Sequence, residues 1–363
     1  MGTNRRITRD KLITATGLGL LMMLFVHGAG AQQTIKLTFA SGFPPVLPFI
    51  VEAEQSLLPA VNDELAKSGN KYKVEWNIAV GGTLAKIPAM LQATSEGLAD
   101  LSALAPIFEP GKLPLQNVGL VAPFTAPNHR IATQVMNDLH RNVPAMMKAW
   151  DAQNLVFLMA LSADPFALFT KFPVNSLADL KGKKIAAGGQ NLNWLKNTGA
   201  VGVVTNLATL YNDLQAGIAD GTTIFPISAA SIKLNEVAPY LTRVSLGSVS
   251  TFAFAINKTR WEKLPPEVQT AIRKATDRML DSYLARMDRL YDQSFQELVK
   301  GGAKITTLSR EENLKWVKGL PPLGLEWVKE MEAKGLPGRQ VMSYYMDFMR
   351  KNKVEIFRDW DRE

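Results

Sequence analysis

Residues 72–104, YKVEWNIAVGGTLAKIPAMLQATSEGLADLSAL, contain one complete strand–turn–helix–strand unit. Tyr72, Val74, Trp76, Ile78 and Val80 alternate with polar or small residues, the period of a half-buried strand. Gly81-Gly82 turns the chain, a helix is predicted over Leu84–Ser95, Gly97 stops it, and Leu98–Leu104 reads as the next strand. Strands alternating with helices predict a mainly parallel sheet covered by helices.

The pattern extends both ways from this unit. Upstream, Ile35, Leu37 and Phe39 alternate in a first strand, and Pro44-Pro45 breaks the chain. A helix then runs near Phe49–Lys67 and ends at Ser68-Gly69-Asn70. Downstream, a second series begins near Leu155, with strands at Leu155–Leu161, Phe166–Thr170, Lys184–Ala187 and Val201–Val204, a helix over Ala208–Ala216 and a strand at Asp220–Ile224. Leu91-Gln92-Ala93 before Gly97-Leu98-Ala99-Asp100 is echoed by Leu214-Gln215-Ala216 before Gly217-Ile218-Ala219-Asp220. Two related α/β lobes account for that echo.

The chain then returns as strand Thr251–Asn257 and enters a helix from Pro265 to Lys300, with Pro266 well suited to its first turn. At 1.5 Å per residue this helix is about 50 Å long, enough to brace both lobes. Ala303–Thr307 is one more strand, and residues 311–363 form two or three amphipathic helices broken by Pro321-Pro322 and Gly335-Leu336-Pro337-Gly338. No linker is long and polar enough to separate independent domains. The expected division is therefore lobe one at 32–160 plus about 251–285, lobe two at about 161–250 plus 286–310, and a helical extension at 311–363. The lobes exchange strands.

The first residues set the compartment. Arg5, Arg6, Arg9 and Lys11 precede an apolar run from Leu12 to Val26, and Ala29-Gly30-Ala31 offers a cleavage site before Gln32. That pattern is a secretory signal peptide over residues 1–31, cleaved after Ala31, and it places the mature chain in the periplasm. The apolar run is shorter than the ~20 residues a membrane span needs. The chain has no cysteine, which excludes thiol catalysis, cysteine-ligated metal and a lipidated cysteine. The formal charge is +8, but the leader holds four of the positive charges, and the densest later run, Lys181, Lys183 and Lys184, reads as a solvated turn. No nucleic-acid partner is expected.

Chemistry is sparse. Of the three histidines, His27 lies in the leader, and His129 and His140 have no carboxylate partner at ligand spacing. No metalloprotease, nucleophile-elbow or P-loop pattern occurs, and Gly188-Gly189 lacks the spacing of a dinucleotide site. No catalytic residue, metal ligand or cofactor is predicted. An exported α/β protein of this kind binds rather than converts.

Several segments, in order, resemble one family. They are Gly82-Thr83-Leu84 with Met90-Leu91-Gln92 and Gly97-Leu98-Ala99-Asp100; Val118 through Phe124; Leu177-Ala178-Asp179-Leu180-Lys181-Gly182-Lys183-Lys184-Ile185; Leu210 through Gly221; and Ala255-Ile256-Asn257 through Gln269. From Thr34 to about Ser309 the chain resembles the substrate-binding subunits of TRAP (tripartite ATP-independent periplasmic) transporters, the DctP-type solute receptors. The resemblance implies a two-lobe periplasmic binding protein fold, type II-like, with a hinge and a long spanning helix. It also implies capture of a small organic solute and its delivery to a small and a large permease subunit. A receptor feeding a sensor kinase is the alternative, and a secreted enzyme on the same scaffold a more remote one.

The departures from the family pattern bear on the ligand. The family's carboxylate-binding arginine falls at Ala186, a second arginine about twenty residues upstream at Phe166, and its asparagine at Ile224. A buried carboxylate needs charge-assisted donors, and a guanidinium supplies a matching fork. Without one, burial costs several kcal/mol or more. Either another cation substitutes, Lys86 by the family pattern or Lys184 by proximity, or the ligand's contacting end is neutral or aromatic. The expected ligand-binding residues are Phe43, Lys86, Phe166, Ala186, Tyr211, Ile224 and Phe225.

Overall fold

The computed structural model describes residues 32–207 and 209–363; the leader predicted over residues 1–31 lies outside the described residues, as does Ala208. The chain starts with β1 (Gln33–Ser41), then α1 (Pro48–Glu52), one π-helical turn at Ala53–Leu57, and α2 (Leu58–Lys67). The wide turn lies just before Pro59, whose ring has no N–H and collides with the carbonyl four residues back. Next come β2 (Tyr72–Ala79), α3 (Met90–Ser95), β3 (Leu101–Leu104), α4 (His129–Asn142), α5 (Pro144–Asp151) and β4 (Leu155–Ser162). The second lobe is built on β5 (Ala167–Thr170), β6 (Lys184–Ala187), β7 (Val201–Val204), α6 (Leu210–Gln215), β8 (Gly221–Ile224), α7 (Pro226–Ser231) and β9 (Tyr240–Arg243). The chain then runs through β10 (Ser250–Asn257), α8 (Lys258–Glu262), α9 (Pro266–Lys300) and β11 (Lys304–Thr307) to α10 (Arg310–Gly319), α11 (Leu323–Ala333) and α12 (Gly338–Lys351).

Two sheets result, ordered β2-β1-β3-β10-β4 and β11-β9-β5-β8-β6-β7. Strand exchange is real. β10 inserts antiparallel between β3 and β4, and β11 joins the second sheet parallel to β9. The sheets are mixed rather than mainly parallel, because β5 is antiparallel to both β8 and β9. β9 escapes sequence reading, since four residues after a proline are too few to show a period. The helix predicted over Leu84–Ser95 is shortened to a 3₁₀ turn at Ile87–Ala89 followed by α3, because Pro88 cannot continue a longer helix from upstream.

The internal echo is structural, with a shift in register. Gly97 and Gly217 both adopt left-handed φ, +81° and +75°. Each follows a six-residue helix. Asp100 accepts the Thr38 N–H at 2.7 Å and Asp220 accepts the Lys184 N–H at 2.8 Å, so each aspartate ties the beginning of its own strand to the neighbouring one. The matching positions are therefore 120 apart. Leu91-Gln92-Ala93 does not superpose on Leu214-Gln215-Ala216, whose spacing differs by three.

Two chain segments, residues 163–166 and 244–249, cross between the sheets. They pair through Phe166 N–H to Gly247 O at 2.9 Å, with Ser248 Oγ donating to Ala163 O at 2.5 Å. α9 spans the same junction. Its Val268, Ile272, Met279 and Tyr283 pack in the first lobe, while Phe295 and Leu298 pack in the second. Tyr283 Oη donates to Ser162 O at the junction, 2.8 Å. The three C-terminal helices brace the opposite side: Trp316 Nε1 on α10 donates to Trp194 O in lobe two, and Trp360 Nε1 donates to Pro123 O in lobe one.

Candidate functional site

Strand direction locates the site. β4 runs into the junction and β10 out of it, so β1 and β3, which run with β4, point their C-terminal ends there. In the second sheet β5 leaves the junction, so the antiparallel β8, and β6 and β7 with it, end there. Ligands of open α/β sheets bind outside such carboxyl ends. The cleft is lined by loops 41–47, 80–87 and 105–108 of lobe one and 188–194, 205–207 and 225–227 of lobe two, above the crossing segments. A separate hollow of about 540 Å³ lies on the outer flank of lobe two among Lys233, Glu236, Glu297 and Lys300, away from the strand ends.

The lobe-one wall is tightly set. Gly81 and Gly82, both at left-handed φ, donate to Phe43 O at 2.9 Å and Ser41 O at 3.1 Å. A Cβ on Gly42 would come within 2.4 Å of Ile87 N, so the two loops touch where only glycine fits. Phe43 is half-buried, edge-on to Phe49 at 5.2 Å and Phe252 at 5.4 Å. Lys86 precedes the 3₁₀ turn rather than riding a helix, and its ammonium folds over Gly82, 3.1 Å from where a Cβ would stand. It is exposed and has no ion pair or hydrogen bond among the described residues.

In lobe two, Phe166 is brought against Phe225, 4.2 Å between centroids, and edge-on to Trp194 at 4.9 Å. Trp194 escapes sequence reading because it follows β6 in a turn; its indole N–H reaches Leu120 O in lobe one, 2.8 Å. Ala186 and Ile224 face the other side of the sheet, packed with Leu210, Leu214 and Ala229. Ala186 is fully buried there. Tyr211 turns its hydroxyl to Glu236 at 2.9 Å. Lys184 Nζ donates to Gly217 O at 3.0 Å, at the end of β6 away from the cleft. The seven expected residues thus fall into separate places. Phe43 and Lys86 stand on one wall, Phe166 and Phe225 on the other, Ala186 and Ile224 inside lobe two, and Tyr211 against Glu236.

The apolar lining comes from both lobes. Leu84, Ala85 and Ile107 from one side and Leu192, Trp194 and Phe225 from the other belong to a single packed cluster. Phe108, Val46, Val204 and Leu207 stand exposed at its rim. The cleft loops carry one cation, Lys86. Asp164, in the crossing segment, is 2% exposed and accepts the Ile227 N–H at 3.0 Å. Burial pushes its carboxyl up to about 7, against the pull of that N–H and its own.

The two histidines are packing groups. His140 Nδ1 bonds Met136 O at 2.7 Å, its Nε2 accepts from Trp150 at 3.0 Å, and its ring stacks on Phe157. Burial drives its pKa to about 4, so it stays neutral. His129 starts α4, and its Nε2 lies 3.0 Å from Asp288 of α9. Among the described residues no group of His, Asp and Glu could hold a metal.

Two α/β lobes joined by crossing strands, with facing loops at the strand ends, give the architecture of a two-lobe binding protein. The comparisons agree. The pattern of the family "Bacterial extracellular solute-binding protein, family 7" (DctP) matches residues 62–330, and the chain belongs to that family. The chain is similar to the C4-dicarboxylate-binding periplasmic protein DctP of Rhodobacter capsulatus, 28% identical over 137 residues, which is 38% of this chain and 41% of that protein. It therefore spans less than half the length of that relative. Its fold is similar to a TRAP periplasmic solute-binding protein from Desulfovibrio salexigens in an open complex, with TM-score 0.77, 23% identity, and coverage of 87% of this chain and 96% of that one. It is also similar to a marine-metagenome TRAP solute-binding protein specific for aromatic acid ligands, with TM-score 0.74, 23% identity, and coverage of 87% and 99%. The chain is a bacterial extracellular solute-binding protein of family 7, and its fold is that of TRAP solute-binding proteins.

Proposed function

We propose that the mature chain works in the periplasm after removal of residues 1–31. There it closes on one small organic acid with a single carboxylate and an apolar or aromatic body, and delivers it to the small and large TRAP permease subunits without altering it. The carrying observation is the cleft's charge inventory: its loops hold one cation, the unpartnered Lys86, with half-buried Phe43 and Phe225 on either side and Phe166 and Trp194 buried behind Phe225. A second carboxylate would enter unpaired, at a cost of several kcal/mol. That exceeds half of the roughly 8 kcal/mol of a micromolar complex. An aromatic body instead buries apolar area at about 25 cal/mol per Å². The aromatic-acid receptor of similar fold supports this reading, since a cleft of this architecture accommodates such ligands.

Two measurements test it. Mass spectrometry of what co-purifies with the native protein is expected to show a monocarboxylate, recovered chemically unchanged. In calorimetry, benzoate or phenylacetate is expected to bind more tightly than succinate or malate. Tight succinate or malate binding that depends on Lys86 would reject the proposal.

A further inference from the structure

Lys86 accounts for one charge, and buried polar groups near the cleft ends of the strands have no partner. Asn191 lies in the turn after β6 and is 6% exposed, and its Oδ1 has no hydrogen-bond partner. Thr223, on β8, is 5% exposed, and its Oγ1 is likewise unpartnered. Its neighbours Thr222 and Ile224 point the other way: Thr222 Oγ1 donates to Ala186 O at 3.0 Å, and Ile224 packs inside lobe two. Thr223 therefore shares the face of Phe166 and Ala187, on the strand next to the one Asn191 follows. On the lobe-one side of the junction, Ser162 Oγ and Thr251 Oγ1 are unpartnered too, at the ends of the adjacent strands β4 and β10.

Buried polar groups are nearly always satisfied, and an orphan costs about 1–3 kcal/mol. Such groups at the cleft ends of adjacent strands are a cost that a bound molecule can recover. None of the four carries a charge, so none of them neutralises an anion, and a neutral polar group satisfies them without bringing in a buried net charge. A purely hydrocarbon ligand would leave them unsatisfied. An anionic one would find no cation among them.

Resting on the reading above, we propose that Asn191 and Thr223 set ligand specificity from lobe two by hydrogen-bonding a neutral hydroxyl or carbonyl on the ligand's body, while Lys86 holds its single carboxylate from lobe one. The favoured class is a hydroxy- or oxo-substituted monocarboxylic acid rather than its unsubstituted parent. A site built to bond a hydroxyl discriminates strongly against the analogue that lacks it, because its own groups then stay unpaired.

The test is calorimetry on the full mature protein with two matched pairs, benzoate against 3-hydroxybenzoate and phenylacetate against 3-hydroxyphenylacetate. In the wild type the hydroxyl is expected to tighten binding about tenfold or more in at least one pair. Thr223→Val and Asn191→Leu should each remove most of that gain and leave the unsubstituted acid within about twofold, whereas Thr223→Ser should keep it. Thermal unfolding of the free variants should be unchanged or higher, because an orphan is removed; a merely structural pair would lower it. An equal loss for both members of a pair, or a hydroxyl gain that survives both substitutions, overturns the assignment and leaves the receptor reading standing. If the wild type binds none of the four acids, the ligand class fails and this assignment falls with it.

Discussion

Lys86 and Asp164 are two ionisable side chains near the lobe junction, one exposed and one buried, and they behave in opposite ways. Lys86 is exposed and waits for a partner, so a ligand carboxylate that reaches it gains a charge-assisted hydrogen bond. Lys86→Gln is expected to weaken binding of the cognate acid about 10- to 100-fold with unchanged thermal stability; an unaltered affinity by calorimetry would remove Lys86 from the site. Asp164 is buried, and its folded pKa of about 7 lies above its unfolded value near 4. The folded state therefore holds the extra proton in between. The associated stability is fully present below about pH 4 and is lost as pH rises through 7. Asp164→Asn should raise the melting temperature at pH 8 and do little at pH 4, with a ceiling on the order of 4 kcal/mol. Parallel melting curves for wild type and variant across that range would contradict the assignment. Sequence reading offered Lys86 and Phe166 from the family pattern, and the structure sets Lys86 in the loop after β2 and Phe166 just before β5. It gave no signal for Trp194, Asn191 and Thr223, whose placement depends on which way a four-residue strand faces and on where a turn folds back. Neither leaves a period in the chain. The same limit applies to Ala186 and Ile224, which pack inside lobe two, since a match in sequence position does not say what else has filled the space.

Among elements, the crossing segments and the C-terminal helices do most to determine how the lobes are held. Gly247 sits at φ +88° in one crossing segment, and a Cβ there would come within 2.6 Å of Ala126 O. Gly247→Ala should cost more than about 1 kcal/mol from the backbone conformation alone, read as a lower urea midpoint. The extension beyond residue 330, where the family pattern ends, is more than a tail. Arg358 Nη1 donates to Val317 O at 2.8 Å and Leu320 O at 2.7 Å, capping α10 from the far end of the chain. Trp360 is buried against lobe one. Trp360→Ala is expected to destabilise the whole protein by about 3–5 kcal/mol in one cooperative transition. A small early transition followed by unchanged main unfolding would show instead that the extension is an independent appendage. The existence of these helices was readable from Pro321-Pro322 and Gly335 onward, because breakers stand out locally. Their docking across both lobes was not, because Trp316 and Trp360 contact residues more than 100 positions away.

For the whole molecule, the question is how two braced lobes still close. α9 passes from one core to the other just beyond Met287, and there Asp288 pairs with Arg130 and lies 3.0 Å from His129 Nε2. The connections are therefore concentrated behind the crossing segments and along two flanks. On the cleft side, Trp194 to Leu120 is one inter-lobe hydrogen bond, and the rim residues Val46 and Val204 remain 78% and 74% exposed. Exposed apolar side chains on facing loops disfavour the open state only weakly, so closure needs the ligand's contacts with both walls to tip the balance. Moving such an equilibrium from mostly open to mostly closed takes about 5.5 kcal/mol of differential binding. A carboxylate held from lobe one and a neutral group held from lobe two together supply contacts that exist only in the closed form. Because the chain has no cysteine, Val46→Cys with Val204→Cys gives a doubly labelled protein with unique positions. Energy transfer between the labels should rise on adding a ligand that engages both walls. It should stay flat for a control pair at Ile78 and Leu98, both within lobe one. Lys86→Gln should move the titration midpoint to higher ligand concentration without changing the end value, since it removes affinity and not the hinge. An end value that fails to rise in the wild type, with binding confirmed by calorimetry, would mean that the lobes are rigid and the ligand enters a site already formed.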